Sequence, residues 1–336
     1  MKRLWKYFLL TCMSVLFISA CTSTKDSTPE TKTEKVRIAE VTRSLFYAPQ
    51  YVAISKGFFK EEGLDIELTT TPGGDKTMTT LLSNGADIAL VGSETSIYVS
   101  LQDANNPILN FAQLTQNDGT FLVSREKINN FTWDQLKGKD YLGQRKGGMP
   151  QMVGEYVLKN RNIDPQKDVN LIQNVDFANI ASAFASGTGD FVQLFEPTAS
   201  IFEKEGKGYI VAAFGKESGA LPYTTFMAKE SFLKDKKDIA EKFTRALYKG
   251  QQWVDAHSPE EIADVVVDYF KETPKDIMIN VIKRYKEQHA YATNPLLEKE
   301  EWNRLIDVMK TAGQLKEDIS YEKLVHTEFA NNVIKK

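Results

Sequence analysis

Cysteine and histidine are scarce: the chain of 336 residues has two cysteines and three histidines. Both cysteines, Cys12 and Cys21, stand near the N-terminus, so the body of the chain offers neither a disulfide framework nor a thiolate metal cluster. His257, His289 and His326 all fall in the last quarter, with no metal-ligand spacing, and no Gly-x-Ser-x-Gly elbow is present to build a hydrolytic triad. A phosphate-cradling Walker motif is missing too. No sign of charge is in large excess, with 42 basic against 45 acidic residues, and a mildly acidic chain argues against nucleic acid as partner. Catalysis, a bound cofactor and a metal are therefore not expected.

Long apolar runs are absent except at the start. Lys2, Arg3 and Lys6 precede an apolar stretch from Tyr7 to Ala20 that ends in Ile18-Ser19-Ala20-Cys21. That stretch is short of the roughly 20 residues that span a bilayer, so residues 1–20 read as a cleaved leader. Ile-Ser-Ala-Cys resembles a bacterial lipobox, which implies lipidation of Cys21 and anchoring on the extracytoplasmic face of the cell membrane. Removing residues 1–20 takes away three basic residues and no acids, leaving 39 against 45, a net charge of −6. Residues 21–35 are nearly all Ser, Thr, Lys and acid, and read as a flexible tether. The remaining 300 or so residues suffice for two medium domains with real cores.

Beyond the tether, strand and helix signals alternate. Val36 to Val41 alternates in polarity as a half-buried strand does, and Pro49 starts a helix that ends near Gly57. Leu64 to Leu68 is the next strand, Gly73-Gly74 a tight loop, Asp75 a helix cap, and Ile88 to Val91 a short buried strand. This βαβ order calls for a mostly parallel sheet. After an antiparallel-looking strand at Phe121-Leu122-Val123 the pattern restarts, with a capping box at Thr132 and Gln135, a strand at Tyr141 to Gly143, a loop at Gly147-Gly148 and a helix from Pro150.

The restart is a repeat. Leu82-Ser83-Asn84-Gly85-Ala86-Asp87-Ile88-Ala89-Leu90 recurs as Ala185 to Leu194, each a helix end, a glycine turn, an aspartate and a strand. Two similar α/β lobes follow, the first over residues 36–124 and the second, inserted, over 125–221. Residues 222–336 return to the first lobe through Tyr223 to Ala228 and add helices around it. Ligands of open α/β sheets sit beyond the strand ends, so two facing lobes form a cleft that hinge motion can close.

Tyr51 to Asp65, with its Lys-Gly-Phe-Phe-Lys-Glu-Glu-Gly-Leu-Asp core, resembles the opening of the nitrate, sulfonate, taurine and thiamine-precursor group of binding proteins, the NMT1/THI5-like family. Asn84 to Ala89, Leu136-Lys137-Gly138-Lys139 and Phe195-Glu196-Pro197 match the same pattern. The resemblance implies the type II periplasmic-binding-protein fold: two α/β lobes with mixed, mostly parallel sheets around a ligand cleft. It also implies capture of one small-molecule ligand by a monomer and its delivery to an ABC permease driven by a cytoplasmic ATPase. The same resemblance extends to pyrimidine synthases, but their active-site histidine and cysteine-rich motif have no counterpart here. A sensor that hands nothing to a permease is a third reading.

Groups at strand-to-helix junctions meet a ligand in such a cleft, since exposed N–H groups and the positive helix end favour polar or anionic atoms. Ser93 beside Gly92 in one lobe, and Gly147-Gly148 with Met149 in the other, head the candidates, with Gly74, Glu94 and Thr95 at neighbouring junctions. Phe46, Tyr47, Phe177 and Tyr223 could sandwich a flat ring, and Glu196 could accept hydrogen bonds from an amino group. Arg43, Arg145 and Lys146 could instead pair with a sulfonate or another anion. Two ligand classes result, an aminopyrimidine-like heterocycle or a small anion, and the balance of aromatics over arginines at the junctions favours the heterocycle.

Overall fold

Ten strands form two five-stranded sheets in a computed structural model that describes residues 33–102 and 105–335. The leader, Cys21 and nearly all of the expected tether lie outside the described residues. Thr33–Lys336 form one compact unit by themselves. The strands are β1 (Glu34–Glu40), β2 (Leu64–Thr70), β3 (Ile88–Gly92), β4 (Ile108–Thr115), β5 (Thr120–Ser124), β6 (Asp140–Leu142), β7 (Asn170–Ile172), β8 (Phe191–Phe195), β9 (Tyr209–Ala213) and β10 (Thr224–Lys229).

The first sheet runs β2-β1-β3-β10-β4 and the second β7-β6-β8-β5-β9, so the two lobes share one plan. In each, three parallel strands carry the βαβ units, and the strand arriving from the other lobe pairs antiparallel on both of its sides. Position dictates composition. Ile88 to Val91 are all buried because β3 is central and covered on both faces, whereas the edge strand β2 alternates exposed residues with buried or half-buried ones. The repeated aspartates hold equivalent places. Asp87 accepts the Arg37 backbone N–H of β1 at 2.9 Å, and Asp190 accepts the Asp140 backbone N–H of β6 at 3.1 Å.

Three expectations shift. β5 belongs to the second sheet, between β8 and β9, so the chain changes lobe at residues 116–119 and not after residue 124. A short apolar run identifies a strand but does not say which sheet it joins. Asp75 is not a helix cap, because the helix Gly74–Leu82 has Gly73 at its N-cap, with φ at +111°, and Asp75 sits in its first turn. Glu34 and Lys35, assigned to the tether, are already in β1.

The chain crosses between lobes twice, and the crossings are bonded to each other: the Leu221 N–H donates to the Gln116 carbonyl at 3.0 Å and the Tyr223 N–H to the Thr115 carbonyl at 3.1 Å. Beyond Asp235 the described residues add helices and no further strand to either sheet. The helix Lys237–Ala256 lies against Ala48–Ser55, an approach that Gly250 permits, since a Cβ there would stand 2.6 Å from the Pro49 carbonyl oxygen. The C-terminal helices do not serve the first lobe alone. Lys275–Glu287 reaches the second through Arg284 and Tyr285, and Lys299–Thr311 packs on Met149–Asn160. No helix among the described residues is long and apolar enough to cross a membrane.

Candidate functional site

Between the lobes lies a cleft of about 700 Å³, walled by β3 and its following helix on one side and by the segments after β6 and β7 and the end of β8 on the other, with Tyr223 and Thr224 also lining it. Ten of the thirteen residues proposed from the sequence line it: Tyr47, Gly74, Glu94, Thr95, Arg145, Gly147, Gly148, Met149, Phe177 and Tyr223. Phe46, Ser93 and Glu196 do not.

Each of the three has a structural occupation. Phe46 is fully buried, with its ring 5.1 Å from that of Tyr285 and pressed on Gly119, where a Cβ would come within 2.8 Å of it. The Ser93 hydroxyl donates to the Pro222 carbonyl, tying the end of β3 to the crossing. The Glu196 carboxylate is fully buried; Oε1 accepts from Arg284 Nη1 and from the Ser200 hydroxyl, both at 2.8 Å, and Oε2 accepts from the Ser200 N–H at 2.8 Å. Arg43 is likewise engaged, paired at 2.7 Å with the buried Glu40 and lying over the rings of Tyr51 and Tyr269.

Glu94 is the buried charge of the cleft. It opens the helix Glu94–Ser100, and its side chain folds back over Gly92, whose missing Cβ would stand 2.1 Å from Oε2. A glycine expected to admit a ligand instead makes room for a carboxylate. Oε1 accepts the Met149 N–H across the cleft at 3.1 Å, and Oε2 has no partner. Burial pushes this carboxyl up to about 7, against the lowering effect of its own backbone N–H and that of Met149.

Met149 begins the helix Met149–Asn160 of the second lobe, so Glu94 occupies the anion position at that helix's N-terminus. The neighbouring N–H groups are used as well: that of Gly147 donates to Gln151 Oε1 at 2.8 Å and that of Gly148 to the Arg145 carbonyl at 3.3 Å. The Tyr98 hydroxyl adds a second cross-cleft bond, to the Gly147 carbonyl at 3.0 Å. Arg145 makes a third, to Asp75 at 3.2 Å, and also faces Asp176 at 3.8 Å, with its side chain and both carboxylates well exposed.

Five aromatic rings line the space, those of Tyr47, Tyr98, Phe177, Phe195 and Tyr223. Tyr98 was legible in principle, one helical turn after Glu94 on the same face. Gln144, also missed, donates through Nε2 to the Gln193 carbonyl at 2.6 Å, which turns Oε1 away from that bond; Oε1 is buried and has no partner. Among the described residues no group of three or more His, Cys, Asp or Glu could hold a metal ion. None of the three histidines lines the cleft.

A family model described as NMT1/THI5 like matches residues 46–262. A Bacillus subtilis (strain 168) protein named "Putative binding protein YtlA" is 64% identical over 299 residues, covering 89% of this chain and 90% of that one. Among solved structures, the ligand-binding component of an ABC-type import system from Staphylococcus aureus superposes with a TM-score of 0.72 at 15% identity, over 90% of this chain and 99% of that one. The alkanesulfonate-binding protein SsuA from Xanthomonas axonopodis pv. citri, bound to MOPS, gives 0.69 at 13% identity, over 87% and 98%. Identities this low establish a shared fold.

Proposed function

The chain belongs to the NMT1/THI5-like family, and on that premise we propose that it is the solute-binding component of an ABC importer, held by a lipid on Cys21 outside the cytoplasmic membrane. It captures a small organic molecule between its lobes as a monomer and delivers it to a permease. The observation that carries this reading is the cleft itself, lined by both lobes and already spanned by bonds from Glu94, Tyr98 and Asp75 to the facing wall. Groups from both walls enclose the solute, and contacts made only when the lobes approach drive closure.

The favoured ligand is a flat heterocycle of the thiamine-pyrimidine-precursor kind, stacked among Tyr98, Phe177 and Tyr223. The competing reading, a sulfonate or nitrate-type anion, meets an obstacle in the second lobe. The N–H groups that would receive an anion are engaged, and a buried carboxylate stands where the anion would sit.

A thermal-shift screen of residues 33–336 against thiamine pyrimidine precursors, other vitamin-like heterocycles, taurine, alkanesulfonates and nitrate tests both. A ligand at a hundred times its dissociation constant stabilises by about 2.7 kcal/mol. A shift with heterocycles alone supports the reading. A shift with sulfonates or nitrate alone replaces the ligand class, and silence across the panel counts against solute capture.

A further inference from the structure

Three buried oxygens of cleft-lining residues lack a hydrogen-bond partner: the Tyr223 hydroxyl and two acceptors, Glu94 Oε2 on the wall of the first lobe and Gln144 Oε1 on the wall of the second. Neither arrangement is accidental in its surroundings. Gly92 is required for the Glu94 carboxylate to lie where it does, and the Gln193 carbonyl fixes which end of the Gln144 amide faces away. A buried acceptor left without a donor carries a large desolvation cost, which a ligand bearing donors removes.

The charges near Glu94 leave it unmatched. Arg145 is shared between Asp75 and Asp176. Lys76 and Lys146 also line the cleft, but both are exposed to water and neither forms an ion pair with Glu94 among the described residues. The remaining titratable groups around it, Tyr47, Tyr98 and Tyr223, are phenols that burial keeps neutral.

We propose that the solute is a flat cation presenting N–H donors from an amidine-type N–C–N edge, bonding Glu94 Oε2 from one lobe and Gln144 Oε1 from the other. This rests on the reading of the cleft as the solute site and names the chemistry that site selects. Glu94 then has two partners at once, the ligand cation on Oε2 and the helix N-terminus of the second lobe on Oε1. A cation that holds the carboxylate charged strengthens the Met149 bond as well, so ligand charge and lobe closure are coupled. The cleft therefore discriminates against anions by the same carboxylate that binds the cation.

Benzamidine, benzamide and benzoate provide one ring shape with positive, neutral and negative heads. Calorimetric titration of residues 33–336 is expected to show binding of benzamidine alone, with release of a fraction of a proton near pH 7 as the Glu94 carboxyl ionises. Glu94→Gln keeps an acceptor for the Met149 N–H and loses the charge; it should weaken benzamidine on the order of a hundredfold and abolish the proton release. Gly92→Ala, which displaces the carboxylate without touching its charge, should weaken it in the same direction, and the ligand-free melting curve of each variant checks that it is folded.

If benzoate or an alkanesulfonate binds, or if benzamidine binds equally well to Glu94→Gln, the cation assignment is wrong while the cleft remains a solute site. If benzamidine is silent and a neutral heterocycle stabilises the protein, the assignment also falls. Silence from all of these and from the wider panel takes down the solute-site reading with it.

Discussion

Two buried glutamates follow corresponding central strands of the two lobes, Glu94 after β3 and Glu196 after β8, and their surroundings assign them opposite work. Glu196 is matched by Arg284 and Ser200 on both oxygens, so it fastens the C-terminal helix Lys275–Glu287 to the second lobe. Glu94 is met by backbone N–H groups and no cation, and its Oε2 has no partner. A saturated buried carboxylate marks a structural contact; an unsaturated one in a residue that lines a cavity is where the proposed recognition rests. The comparison shows that burial alone does not mark a binding residue, because both are almost wholly buried.

Replacing each by glutamine should move stability in opposite directions. Glu94 has a folded-state pKa raised from 4.5 to about 7, so the folded protein holds its proton more tightly than the unfolded chain. The resulting penalty is absent below about pH 4.5, grows as the pH rises towards 7 and is complete above it. Glu94→Gln should stabilise the ligand-free protein by roughly 3 kcal/mol at pH 8 and by almost nothing at pH 4.5, measured by denaturant unfolding at the two pH values. A pH-independent difference would remove the buried charge from the account.

Glu196→Gln should do the reverse, destabilising by about 2 kcal/mol at pH 7, because Arg284 loses the nearer of its two carboxylates and keeps the Ser200 hydroxyl and Glu203, the latter at 3.3 Å. Equal unfolding free energies for wild type and variant would mean that the pair holds nothing together. A smaller effect separates the repeated aspartates. Asp87 adds a side-chain pair with Arg37, 2.6 Å at its closest, to its backbone bond, whereas Asp190 has the Asp140 N–H as its side-chain bond. Asp87→Ala should cost about 1 kcal/mol more than Asp190→Ala in the same assay. Smallest of all, Arg145→Ala should change ligand-free stability by no more than about 0.5 kcal/mol, and less at high salt, since its pairs are exposed.

Much of this architecture is legible in the sequence. Proline and glycine punctuation at Pro49, Gly57, Gly73 and Pro150 locates helix starts and turns, and the Asn84-to-Leu90 repeat reveals the second lobe because both copies build the same helix-to-strand turn. What escapes is long-range pairing. Nothing near Glu196 in sequence announces Arg284, 88 positions away, and so the glutamate expected to meet an amino group is the saturated one. Ser93 and Phe46 fail for a related reason: both stand at the right junction, but partners from the distant crossing, Pro222 and Gly119, turn them inward. The strand β5 shows the same limit, since its apolar run marks a strand and leaves its sheet open.

The central claim is capture by closure of two lobes, and small-angle X-ray scattering of residues 33–336 tests it most directly. Saturation with the compound that raises the melting temperature most should contract the particle measurably, as lobes that part in solution are held in the arrangement in which Glu94 meets Met149. A scattering curve unchanged at saturation would contradict closure, whatever the ligand proved to be.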